Sequence, residues 1–220
     1  MFEEYYKNYW NMLSKKVPEP IKLFIDQNWR ENPNAKSFKI GKIWLEYLKN
    51  IDSVLDYGGG NRMTGIMLRN LGWNGSYDVV DMSDDVDPEY KDLNEVKKNY
   101  DMIICLQVIE HMYFEQFLNF INELTSKLKK GGILVIGSDH PAHPGHLWNV
   151  EMGHVKAYPY YNLHQFLQMN NFQSNNSKIV LQYVDHPKII KYVLYYVRKT
   201  IFSLLGLSPY LSYIIFIKKI

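Results

Sequence analysis

Short, almost wholly apolar runs alternate with amphipathic stretches between Ser53 and Gly137, and few folds accept that pattern. Met102-Ile103-Ile104-Cys105-Leu106 and Ile133-Leu134-Val135-Ile136 are too short for buried helices and too continuous for strands with one wet face. With Ser53–Tyr57 and Tyr77–Asp81 they read as strands covered on both sides. Between them, Met63–Asn70, closed by Gly72, reads as a helix. So does Tyr113–Lys130, which places Phe114, Phe117, Leu118, Ile121, Leu124 and Leu128 on one face ahead of Gly131-Gly132. Strands alternating with helices predict an α/β fold whose parallel strands are joined by right-handed crossovers.

The flanks are read from the same periodicities. Residues 1–50 read as a helical cap, dense in aromatics and broken at Pro18, Pro20 and Pro33. Tyr6, Tyr9 and Trp10 either cover the sheet or form a lid over a bound acceptor. Residues 51–185 form the expected core. Residues 186–220 are expected to add a helix over Lys188–Leu205 and a last strand over Tyr213–Ile217, the whole of 1–220 making one domain. Thr200–Ile217 carries no charge over 18 residues, but Ser203, Gly206, Ser208, Pro209 and Ser212 fit a helix turning into a strand better than a membrane span. Lys188, Lys191, Arg198 and Lys199 interleave with apolar residues, so 188–205 is also a candidate for peripheral membrane contact.

Composition narrows the function. A net charge of +2, with 21 lysines and only four arginines, gives nucleic acid no broad electrostatic purchase. One cysteine excludes an intrachain disulfide, and the acidic, aromatic start MFEEYYKNYW does not resemble a secretion signal. A cytoplasmic protein is expected.

Ligands of open parallel sheets bind beyond the carboxyl ends of the strands. The first strand ends there in Asp56-Tyr57-Gly58-Gly59-Gly60-Asn61, where glycines admit close backbone approach. The second ends in Asp81, spaced to accept ribose hydroxyls. Asp92-Leu93 follows a short strand expected near Tyr90–Asp92.

The succession VLDYGGGN, YDVVDMS, YKDLNEV, YDMIICLQVIEHM and LKKGGILVIG resembles the class I S-adenosylmethionine-dependent methyltransferases over about residues 50–172. The resemblance implies a Rossmann-like, doubly wound, mostly parallel seven-stranded sheet with helices on both faces and the last strand antiparallel. It implies S-adenosyl-L-methionine as cofactor. Asp56, Gly58, Gly59 and Gly60 would then sit toward the methionine portion, Asp81 at the ribose, Asp92 and Leu93 around the adenine, and Leu106 and Gln107 against the cofactor by their backbone. Arg62 stands where the family has a third glycine, which raises the alternative of a cofactor-binding protein without catalysis. An oxygen acceptor needs a base, and histidine, with an ordinary pKa of about 6.5, suits the task. The stretch GHVKAYPYYNLHQFLQMNNF is similar to a family segment whose histidine faces the active site, which makes His154 the first candidate and His146 the second. No metal is expected, because Gln107 stands where a carboxylate would complete a hard ligand set with Glu110, His111 and a later histidine. The acceptor is expected to be small or carrier-linked, a sugar hydroxyl being one form. An amphiphilic acceptor at a membrane surface is the alternative.

Overall fold

The computed structural model describes all residues except 1, 27, 145–152 and 185–188. Helices α1 (Phe2–Lys7) and α2 (Tyr9–Leu13) lead into strand β1 (Ile21–Ile25) and helix α3 (Lys39–Tyr47). Then follow β2 (Ser53–Tyr57), α4 (Met63–Asn70), β3 (Ser76–Val80), β4 (Tyr100–Leu106), α5 (Phe114–Ser126) and β5 (Leu128–Asp139). Helix α6 (Tyr160–Met169), β6 (Phe172–Val184), α7 (Ile189–Leu204) and β7 (Ser212–Lys219) complete the chain.

One seven-stranded sheet runs in the order β1-β6-β7-β5-β4-β2-β3. Only β7 is antiparallel, paired with β5 on one side and β6 on the other. The period-two alternation of the strands builds two cores. Leu55, Ile103, Cys105, Leu134 and Ile136 face the layer that contains α5 and α6. Val54, Met102, Ile104, Val135 and Phe216 face the layer that contains α3 and α4. Both faces of the central strands are therefore dry, as their unbroken apolar sequence requires.

Three sequence expectations are corrected. Residues 1–50 are not all helical: Ile21, Leu23 and Ile25 alternate with Lys22 and Phe24 in an edge strand parallel to β6. The strand expected near Tyr90–Asp92 is reduced to one parallel bridge, Val80 to Tyr90, because the connection is short and turns at once into the cap of Leu93–Glu95. Gly131-Gly132 does not end a helix. α5 stops at Ser126, and both glycines lie inside β5, beside the irregularity that shifts its register on β4.

The aromatic amino terminus packs on the outer helices. Tyr5 meets Phe114 and Phe166 edge-on or tilted, and Gln165 Nε2 donates to the carbonyls of Leu13 (2.9 Å) and Lys15 (3.0 Å). It is a layer over α5 and α6; among the described residues, none of α1 or α2 lines the clefts described next.

Candidate functional site

The chain leaves β2 toward β3 at the sheet edge and returns to β4 on the other side of β2, so the strand order reverses between β2 and β4. The carboxyl ends of neighbouring strands diverge at such a point and leave a crevice. A cavity of about 600 Å³ lies there, bordered by Gly58, Asp81, Ser83, Gln107, Val108 and His111. That volume falls within the roughly 300–1,000 Å³ of small-molecule sites.

The glycine turn is held from below and from the side. Gly58 has φ +73°, and its N–H donates to the Val80 carbonyl (2.8 Å). A Cβ on Gly58 would stand 2.5 Å from Val108 Cγ2, so the backbone comes as close to the wall after β4 as glycine allows. Gly59 leaves no room for a Cβ either, with Val79 Cγ1 at 2.8 Å. The Gly60 N–H donates to Asp81 Oδ2 and the Ser83 N–H to Asp81 Oδ1, each at 2.9 Å. Asp81 thus ties the turn after β2 to the turn after β3. Each of its oxygens holds one backbone donor and retains a lone pair for a ligand hydroxyl.

Asp56 lies under this turn, 1% exposed, and does not border the cavity. Tyr77 Oη donates to its Oδ2, and Arg30 and Thr64 also favour its charge. Burial outweighs them and pushes its pKa up to about 6. Arg62 takes φ +61°, the conformation a glycine would supply, and its guanidinium reaches Glu89 (3.0 and 3.1 Å) and the Asp87 carbonyl (2.5 Å). The departure from the family pattern keeps the backbone of the turn and adds a strap to the loop after β3.

The remaining cofactor candidates divide. Gln107, at φ +58°, borders the cavity, and its Nε2 donates to Asp139 Oδ1 (3.2 Å). Leu106 turns its side chain to the core on the α3 face. Asp92 and Leu93 do not border the cavity: Asp92 caps Leu93–Glu95, accepting from the Asn94 N–H (2.8 Å), and Leu93 is buried in the core.

Beyond the carboxyl ends of β4 and β5 lies a smaller cavity of about 160 Å³, bordered by Glu110, Ser138, Asp139, Pro141 and His154. His154 Nδ1 stands 3.5 Å from Asp139 Oδ2, and both side chains are mostly shielded from solvent. The imidazole of His111 meets that of His154 edge-on, with ring centres 4.8 Å apart. His111 Nδ1–H donates to the Gly153 carbonyl (3.0 Å), which leaves Nε2 free of that bond. Ser138 Oγ donates to Glu110 Oε2 (2.9 Å), while Glu110 Oε1 is buried with no hydrogen-bond partner among the described residues. Burial raises the Glu110 pKa above the usual carboxylate value. His146 lies outside the described residues. Asp139 and His111, which complete the cluster with His154, were not among the catalytic candidates. Their signal is positional, Asp139 ending β5 and His111 closing the turn after the neighbouring strand β4.

Residues 15–175 match the family model for a methyltransferase domain, and the chain belongs to that family. It is a class I S-adenosylmethionine-dependent methyltransferase, with S-adenosyl-L-methionine as cofactor. No curated protein matches the sequence significantly. Among solved structures, an S-adenosylmethionine-dependent methyltransferase from Archaeoglobus fulgidus aligns with a TM-score of 0.62 at 20% identity, covering 88% of this chain and 97% of that one. The 1,6-didemethyltoxoflavin-N1-methyltransferase of Burkholderia thailandensis aligns at 0.52 and 13% identity, over 84% of this chain and 79% of that one. These likenesses are of fold.

The residues present fit the cofactor. Gly58 borders the cavity at a point where a Cβ would collide with Val108, and Asp81, with its paired oxygens, borders the same cavity.

Proposed function

We propose that the enzyme methylates a hydroxyl oxygen of a small or carrier-linked acceptor, a sugar among the candidates, with His154 as general base. The observation that carries this reading is the contact between His154 and His111. One ring borders the smaller cavity and the other the cofactor cleft, so a base stands where the two meet.

When bound, the cofactor supplies an electrophilic methyl group on sulfur. The protein's part is to hold the acceptor in line and to take its proton. With Nδ1 toward Asp139, His154 presents Nε2 to the hydroxyl, and the Asp139 carboxylate stabilises the imidazolium that forms. Gln107 holds the other oxygen of Asp139 and so links the base to the backbone that lines the cofactor cleft. Arg62 was the one ground for a non-catalytic binding protein, and its glycine-like φ removes it. A cytoplasmic site of action accords with the single, buried Cys105.

Two measurements test the reading. A saturating ligand, at about 100 times its dissociation constant, adds about 2.7 kcal/mol and should raise the thermal midpoint by roughly 5–11 °C. That rise is expected with S-adenosylmethionine and S-adenosylhomocysteine and not with NAD. Methyl transfer from labelled cofactor is then assayed on a panel of alcohols, sugars, thiols and amines. Transfer confined to thiols or amines, or equal in wild type and His154→Ala, overturns the hydroxyl reading.

A further inference from the structure

Helix α7 turns an apolar face away from the molecule. Val197, Ile201 and Leu204 are 50%, 49% and 82% exposed, and Leu205, just past the helix, is 66% exposed. At about 100° per residue these four share roughly 100° of the circumference, the width of a stripe that a soluble helix normally buries. Of the described side chains of α7, only Phe202 is even half-buried.

Charge decides what fits this face. Helix α7 carries three basic residues, Lys191, Arg198 and Lys199, and no acidic one. A second copy laid against α7 would bring lysines and arginines together with no carboxylate from this segment to pair them. An anionic lipid surface accepts both the apolar stripe and a helix whose only charges are basic. The 16 residues of α7 span about 24 Å, short of the roughly 30 Å of a hydrocarbon core. Among the described residues no helix is long and apolar enough to cross a bilayer. Such a helix lies along the interface.

Between α7 and the body of the protein is a third cavity, of about 390 Å³, bordered among the described residues by Lys22, Lys199, His140, Tyr160, Tyr210 and one carboxylate, Glu19. One stretch of chain contributes to both this cavity and that of His154. His140 borders this cavity, while its neighbours Asp139 and Pro141 border the cavity of His154.

We propose that α7 docks the enzyme on an anionic membrane, and that the acceptor is an amphiphile presented from it, its phosphate-bearing headgroup between Lys22 and Lys199 and its hydroxyl toward His154. The acceptor half rests on the methyl-transfer reading above; the docking half does not.

The test uses the full chain and vesicles of phosphatidylcholine alone or mixed equally with phosphatidylglycerol. Wild type is expected to co-sediment with the mixed vesicles, to be released by high salt, and to bind phosphatidylcholine weakly. Ile201→Asp with Leu204→Asp alters only exposed positions; it should lower vesicle binding at least about tenfold while keeping the wild-type thermal shift with S-adenosylhomocysteine. Wild type that stays in the supernatant, or a variant that sediments equally, overturns the docking. So does a wild-type dimer that the variant abolishes without vesicle binding by either. Labelled methyl recovered in the organic phase of a lipid extract, and reduced by Lys22→Ala, supports the acceptor half. Transfer to water-soluble panel members only, equal in the α7 variant, overturns that half and leaves methyl transfer to a hydroxyl standing. Loss of the cofactor-induced thermal shift in wild type would be a failure of the methyl-transfer reading instead.

Discussion

His154 faces Asp139 across 3.5 Å through Nδ1 and lies edge-on to His111, so one imidazole is oriented by a carboxylate and touches the wall of the cofactor cleft. Two residues 15 positions apart in the chain come together because β5 delivers Asp139 at its carboxyl end and the segment before α6 folds back over it. The Val155 and Lys156 N–H groups both donate to the Glu110 carbonyl (2.9 and 3.1 Å), pinning that segment to the turn after β4. His154 is therefore held by backbone on one side and by a carboxylate on the other.

From this arrangement His154→Ala is expected to lower kcat by about 10²–10⁴, the usual range for a general base, and to leave the affinity for S-adenosylhomocysteine nearly unchanged. Asp139→Asn keeps the contact without the charge and should cost less. Calorimetric titration with the product cofactor and steady-state kinetics on one panel acceptor separate the two effects. Unchanged turnover in His154→Ala would remove it from the mechanism.

Glu110, His111 and His154 each offer a ligand atom, and the three atoms lie within 4.8 Å of one another. The reaction proposed here uses no metal, so activity is expected to survive EDTA. Added Zn²⁺, which favours imidazole and carboxylate, is expected to inhibit by occupying His154. Glu110→Gln should raise the inhibitory Zn²⁺ concentration by at least about tenfold while preserving the cofactor-induced thermal shift. Activity abolished by EDTA and restored by a metal ion would assign the three residues to catalytic metal binding.

That Gly58, Asp81 and Gln107 border one cavity was legible because they follow one another along the chain, each at the carboxyl end of a strand: Gly58 after β2, Asp81 after β3, Gln107 after β4. His154 was a candidate from the sequence, but its neighbours Asp139 and His111 were not, because the three meet only in three dimensions. Asp92 and Leu93 show the opposite limit. Their spacing matched a family position, yet Asp92 is engaged in a local cap, which competes for the same carboxylate. Strand β1 was within reach, since Ile21-Lys22-Leu23-Phe24-Ile25 has strand periodicity, but the prolines at 18 and 20 and the dense aromatics around it favoured a broken helix. The glycines inside β5 misled for a similar local reason: they follow a helix closely enough to read as its end.

Asp56 gives a pH dependence of folding. Its pKa rises from about 3.9 in the unfolded chain to about 6 in the folded one. The folded state thus binds this proton more tightly. The contribution of Asp56 to stability is fully present below about pH 4 and is lost as pH rises through about 6. Two pKa units correspond to about 3 kcal/mol. Asp56→Asn, neutral throughout, lacks the slope. Urea denaturation of both proteins across this range should show the stability of wild type relative to the variant falling with pH, then levelling above about pH 6. A difference that is flat, or that grows with pH, would refute the assignment.

Arg62 offers a test in which the backbone and the side chain can be separated. Its φ of +61° costs an L-residue about 1 kcal/mol or more relative to glycine. The half-exposed ion pair with Glu89 returns at most about that much. Arg62→Gly and Arg62→Ala both delete the guanidinium, so the strap to Glu89 and to the Asp87 carbonyl is lost equally. Only the alanine retains the strain. Arg62→Gly is therefore expected to be the more stable of the two by about 1 kcal/mol and to lie close to wild type, the reverse of the order at an ordinary helix position. Both should bind S-adenosylhomocysteine, since the Gly58 approach and the Asp81 tether do not involve Arg62. If alanine proves as stable as glycine, the turn relaxes out of the left-handed region when the strap is cut, and Arg62 imposes the conformation that a third glycine would otherwise permit.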